Sequence, residues 1–115
     1  MKIIVISDIH ANLGAVKLFS SFLETADYDG IYCLGDMIGY GDHPNEVISF
    51  LKKIKAHSIM GNHEHLFLAG DMSEKYNFPC TREIITRDSL DYISSLPKEI
   101  ILKSQDAIFS HAVPY

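Results

Sequence analysis

The stretch Ile3-Ile4-Val5-Ile6-Ser7-Asp8-Ile9-His10-Ala11-Asn12 decides the fold. Four consecutive β-branched residues suit a strand covered on both faces, as in a parallel sheet. The run then meets two metal-capable side chains, Asp8 and His10. Residues two apart on a regular strand point to the same side. Asn12 offers a side-chain oxygen to cap a helix. Leu13, Val16, Phe19 or Ser20, and Leu23 recur at helical spacing, which predicts a helix over 13–25 packed on the sheet.

The same unit recurs downstream. Residues 27–30 read as a turn. Ile31-Tyr32-Cys33-Leu34 is a second apolar strand, ending at Gly35-Asp36. A glycine-rich loop follows, Gly39-Tyr40-Gly41-Asp42, and Pro44 suits the first turn of a helix. Val47, Ile48, Leu51 and Ile54 mark the buried face of that helix. Ser58-Ile59-Met60 is a third strand, ending at Gly61-Asn62-His63. Three strand–loop–helix units in a row imply an α/β fold of parallel strands with right-handed crossovers. Residues 70–78 read as a loop. Helical turns follow around 80–86 and 88–95, stopped by Pro97. Strands over 99–102 and 107–110 flank a turn at Ser104-Gln105-Asp106. No repeat or linker divides the chain, so 1–115 is read as one domain.

Composition narrows the function. A chain of 115 residues with 47% hydrophobic content can bury a real core. Its formal charge of −5 argues against binding a nucleic-acid backbone, which needs a Lys/Arg surface. It leaves a phosphorylated substrate open, because a bound metal supplies positive charge locally. Cys33 and Cys80 read as neither a disulfide framework nor a zinc knuckle, so a reducing, cytoplasmic setting is expected. The apolar opening is too short for a signal peptide, and no stretch approaches the ~20 apolar residues of a membrane span.

The candidate site residues all fall at strand ends. Ligands of parallel α/β sheets bind beyond those carboxyl ends. Asp8 and His10 follow the first strand, Asp36 the second, Asn62 and His63 the third, and His111 a later one. Carboxylate, imidazole and amide oxygen together make a mixed O/N site suited to Mn, Fe, Zn or Co. Asp36 has two oxygens and could bridge two ions.

Asp8-Ile9-His10, Gly35-Asp36, Gly61-Asn62-His63-Glu64 and His111, with flanks Ser7-Asp8-Ile9-His10-Ala11-Asn12-Leu13 and Cys33-Leu34-Gly35-Asp36-Met37-Ile38-Gly39-Tyr40-Gly41, carry a resemblance. The chain resembles the calcineurin-like metallophosphoesterase superfamily, in its small prokaryotic phosphodiesterase/phosphatase branch. The resemblance implies a two-sheet sandwich flanked by helices, of which this chain supplies the N-terminal part. It implies two divalent metal ions, one held by Asp8, His10 and Asp36, the other by Asp36, Asn62 and His111. His63 would sit beside them as proton donor or charge stabiliser, with Glu64 orienting it. Asn12 and Tyr40 are secondary candidates for substrate contact. Asn12 is better explained as a helix cap, while Tyr40 divides evenly between substrate contact and loop packing. The implied reaction is hydrolysis of a phosphodiester or phosphomonoester by a water activated between the two metals.

The remaining histidines, His43, His57 and His65, are read as solvated or structural. The family's last element, Gly-His-x-His, is absent, since only Ala112-Val113-Pro114-Tyr115 follow His111. The chain is therefore expected to be a C-terminally truncated domain, one ligand short at each metal. Three origins fit: a truncated product, a natural half with a separate partner chain, or a scaffold that has lost catalysis. An uncovered core face and an open strand edge predict a homo-oligomer or association with the missing half. The competing reading is a non-catalytic oligomeric or binding protein that keeps a partial metal site. No nucleotide-binding or hydrolase-elbow glycine motif supports a different α/β ligand binder.

Overall fold

The first strand, β1 (Ile3–Ile6), pairs in parallel with β2 (Gly30–Cys33), and β2 pairs in parallel with β3 (His57–Ser58). The sheet order is β1-β2-β3. This computed structural model describes residues 1–111. Residues 112–115, the stretch read above as following the last candidate ligand, lie outside the described residues.

Register sorts the side chains of the sheet. Val5, Tyr32 and His57 are partners on one face, and Cys33 and Ser58 on the other. The second face carries the core. Cys33 packs there with Val16 of α1 (Leu13–Leu23) and with Val47, Ile48 and Leu51 of α2 (Pro44–Lys53). Each fully buried aliphatic side chain contributes roughly 1.5–3 kcal/mol relative to exposure. The first face meets a separate antiparallel hairpin, β4 (Glu99–Leu102) with β5 (Ala107–Ser110), through the Tyr32–Phe109 ring contact at 5.1 Å. The described residues thus form a parallel sheet with helices on one side and the hairpin of a second sheet on the other.

Two helices, α4 (Phe78–Ile84) and α5 (Arg87–Ser94), complete this layer with α3 (Asn62–Leu68). Asn45 clamps the α4–α5 junction by donating to Ile84 O and accepting from Thr86 N. Tyr92 of α5 donates its hydroxyl to Ser58 of β3 at 2.9 Å. Among the described residues, no helix is long and apolar enough to cross a membrane.

Several expectations shift. Among the described residues β1 is an edge strand, and one of its faces is not covered, since Val5 is 45% exposed. The first helix stops at Leu23, because Glu24 and Thr25 bond back three residues to Ser21 O and Phe22 O and tighten the last turn. The third strand is only His57–Ser58, because Met60 N turns away to Pro97 O. The expected loop over 70–78 contains a 3₁₀ turn, Glu74–Tyr76, and α4 already begins at Phe78. Asn77, left-handed at φ 59°, resets the chain between them, and Pro79 suits the first helical turn. The hairpin turn is a 3₁₀ turn, Lys103–Gln105, closed by left-handed Asp106.

Candidate metal centre

The loops after β1 and β2 run side by side beyond the sheet. Asp8 N, His10 N and Ala11 N donate to Gly35 O, Asp36 O and Met37 O at 3.0, 2.9 and 2.8 Å. Both loops are strained. Of the eight described non-glycine residues with positive φ, five lie here: Asp8, His10, Ala11, Asp36 and Tyr40. Each such conformation costs on the order of 1–3 kcal/mol and persists where surrounding structure over-determines it, typically at functional sites. Strand alternation therefore does not bring Asp8 and His10 together, as the two-residue spacing suggested. Left-handed loop backbone does.

The side chains converge on Asp36, which is buried. His10 Nε2 lies 3.4 Å from Asp8 Oδ1 and 3.9 Å from Asp36 Oδ2. His111 Nε2 lies 3.2 Å from Asp36 Oδ2 and 2.9 Å from Asn62 Oδ1. The other ring nitrogens fix the tautomers. His10 Nδ1 contacts Ile38 O at 3.0 Å, and His111 Nδ1 contacts Leu34 O at 2.6 Å. A carbonyl can only accept, so each Nδ1 carries a proton, and in the neutral ring this leaves the lone pair on Nε2. The Asn62 side-chain amide lies against Asp36 Oδ1 and Oδ2 and His111 Nε2, and turned with its NH₂ toward them it donates to all three. Ring nitrogens of two imidazoles and oxygens of two carboxylates thus gather at one point, with the Asn62 amide beside them. That donor set fits cations between them. Among the described residues, two groups of three have ligand atoms within 4.8 Å of one another: His10, Asp36 and His63, and Asp8, Asp36 and His111. Asp36 belongs to both.

Asp8 is the exposed member of the cluster. Partial burial pushes its carboxyl up. The Ser7 hydroxyl, the contact with Asp36 and the imidazoles of His111 and His10 outweigh this and hold it below its ordinary value.

Glu64 plays a different part from the one expected. It does not orient the His63 ring. Its buried carboxylate accepts from four backbone N–H groups: Asp36 at 2.7 Å, Met37 at 3.0 Å, Ile38 at 3.3 Å and Gly61 at 2.9 Å. Burial raises its pKa, against the pull of the N–H groups of Gly61, Asp36 and Ile38. Glu64 thereby ties the Asp36 loop to the start of α3. His63 is placed by backbone, its N–H donating to Asp36 Oδ1 at 2.9 Å. Gly61 makes the approach possible, since a Cβ there would sit 2.2 Å from Asp36 Oδ1.

The His63 ring is buried among Tyr40, Tyr76 and Phe78. Its Nδ1 has no hydrogen-bond partner, and a Cβ at Gly39 would lie 2.1 Å from that atom. Burial lowers its pKa below the ordinary value, opposed by the Asp36 carboxylate.

Asn12 caps α1, accepting from Ala15 N at 3.1 Å. Tyr40 stands edge-on to His10, with centroids 4.9 Å apart. Both residues line an open cleft of about 760 Å³ that starts at Asp8 and His10 and reaches Lys17, Asp42 and His43. His43 pairs with Glu46 at 2.8 Å, His57 stacks on Tyr32 at 5.0 Å, and His65 is exposed on α3. Two residues of the expected loop were missed as parts of the site. Tyr76 packs on His63 and accepts from Tyr40 N, while Asn77 donates to Gly41 O and Asp42 Oδ1. The signal for them was local: an asparagine, apt for left-handed backbone, just before Phe78-Pro79.

Comparison with known proteins agrees with this architecture. The model of the calcineurin-like phosphoesterase family matches residues 1–113. The chain belongs to that family. It is 34% identical over 120 residues to an uncharacterized protein of Methanocaldococcus jannaschii, covering 97% of this chain and 49% of the relative. A metallophosphoesterase from Sphaerobacter thermophilus is 31% identical and superposes with a TM-score of 0.71, covering 89% of this chain and 44% of that one. A proposed diadenosine tetraphosphatase superposes at 0.81 with 24% identity, over 97% of this chain and 50% of that one, which speaks for the fold. The chain spans about half the length of these relatives.

Proposed function

We propose that this chain carries the metal-binding part of a phosphoesterase that hydrolyses phosphodiesters or phosphomonoesters. One observation carries the reading. The His10 and His111 Nε2 atoms, each ring anchored by its Nδ1 on a backbone carbonyl, gather with the Asn62 amide around the Asp36 carboxylate. Asp8, His10 and Asp36 would hold one divalent ion, and Asp36, Asn62 and His111 the other. Manganese, iron, zinc and cobalt all suit such donors. Ions bound there supply Lewis acidity to the phosphoryl oxygens and acidify water.

The chain's own residues do the rest. Glu64 anchors the Asp36 backbone, and Asp36 Oδ2 faces the rings of His10 and His111. His63 sits close enough to the cluster to donate a proton to a leaving oxygen or to stabilise its charge. Its aromatic surround keeps bulk water from the ring. The Asn12–Tyr40 cleft offers room for the ester beyond the phosphorus.

The test is hydrolysis of bis(p-nitrophenyl) phosphate with and without added Mn²⁺. Metal-dependent turnover that disappears in Asp36→Ala is expected. Metal uptake without turnover favours the non-catalytic binding reading instead.

We also propose that the chain associates with a second copy in a reducing compartment. Ile101 and Ile108, partners on one hairpin face, are 53% and 65% exposed, and the two thiols are unpaired.

A further inference from the structure

Tyr40 is costly where it stands. A bulky aromatic residue is held at φ 64°, in the left-handed region that glycine occupies freely. Gly39 and Gly41 on either side have no freedom to take a side chain. A Cβ at Gly39 would meet His63, and one at Gly41 would meet His10 O at 2.4 Å. Tyr40 N is fixed by Tyr76 O at 2.8 Å. The backbone is therefore pinned on three sides so that this one side chain can be presented.

Loop packing does not account for the presentation. His63 is already enclosed by Tyr76 and Phe78, at centroid distances of 4.7 and 5.8 Å. Tyr40 remains 51% exposed beside three other rings. It lines the cleft that opens from Asp8 and His10. Strain stored in an exposed aromatic residue at the mouth of a site is a sign of function.

We propose that Tyr40 is a specificity-determining residue, its ring forming the wall on which a planar, aromatic leaving group stacks while the phosphoryl group sits at the Asp8–His10–Asp36 centre. This rests on the phosphoesterase reading above and adds the substrate class: aryl or heteroaryl esters over alkyl esters. Edge-on support from His10 and Tyr76 holds the ring in place before any ligand arrives. Stacking of two rings then adds a preference of roughly 3- to 10-fold.

Calorimetric titration of the zinc-loaded full chain tests this without turnover. The probes are inorganic phosphate, methylphosphonate and phenylphosphonate. All three should bind, phenylphosphonate roughly 3- to 10-fold tighter than methylphosphonate. That ratio should fall to about one in Tyr40→Leu and be kept or enlarged in Tyr40→Trp. If phosphate does not bind, the phosphoesterase reading falls and takes this inference with it. If phosphate binds but the wild-type ratio is near one, or survives in Tyr40→Leu, the role of Tyr40 alone is overturned. Should Tyr40→Leu fail to fold, loss of the preference in Tyr40→Trp overturns it equally.

Discussion

At the scale of single residues, the metal reading rests on two imidazoles gathered around one carboxylate. Asp36 Oδ1 takes the His63 N–H, but Oδ2 stands 3.9 and 3.2 Å from the Nε2 atoms of His10 and His111, so the carboxylate does more than cap a turn. The Asp-x-His, Gly-Asp and Gly-Asn-His motifs made these residues legible in the sequence, because ligand chemistry restricts the residue types. The role of Glu64 was not legible. Its four partners are backbone N–H groups, which every residue carries and no motif marks. Replacing Glu64 by Gln puts an amide NH₂ against those donors and strands at least one of them. The expected loss is about 1–3 kcal/mol in urea unfolding. Unchanged stability would contradict the tie between the Asp36 loop and α3. Cys33 gives a second prediction. Burial raises its thiol pKa to about 11, while Cys80 is partly exposed. At pH 8 a disulfide reagent should label about one thiol in the native chain and two in denaturant. The sign for stability follows. The unfolded thiol ionises from about pH 9 while the folded one stays neutral to about 11, so this contribution is present below pH 9 and lost above it.

At the scale of elements, strand and helix identities followed from apolar periodicity, and boundaries did not. The β-branched run of β1 and the 3.6-period face of α2 are dictated by which side chains must leave water. Ends depend on contacts distant in sequence, such as Met60 N turning to Pro97 O. The segment 70–84 was hardest, because its order comes from Asn77 and from Tyr76 packing on His63 rather than from any period. Asn12 separates two roles at this scale. As the cap of α1, Asn12→Ala should cost about 1 kcal/mol of stability and Asn12→Ser should restore most of it. Thermal or urea unfolding of the pair checks this. No loss in Asn12→Ala would move Asn12 from cap to substrate contact.

At the scale of the whole molecule, the sheet and helices bring residues 8 to 111 to one edge, and the hairpin leaves apolar surface open. Light scattering should give a mass above the 12.9 kDa of one chain, with Ile108→Lys shifting it down. A monodisperse 12.9 kDa species in the wild type would contradict self-association. The most direct test of the central claim is calorimetric titration of Mn²⁺ or Zn²⁺ into the metal-stripped chain and into Asp36→Ala. Saturable binding is expected in the wild type. In the variant it should weaken by at least the roughly 10–100-fold typical of losing even an outer-sphere partner. No saturable binding in the wild type, or equal binding in Asp36→Ala, would contradict a metal centre built on Asp36.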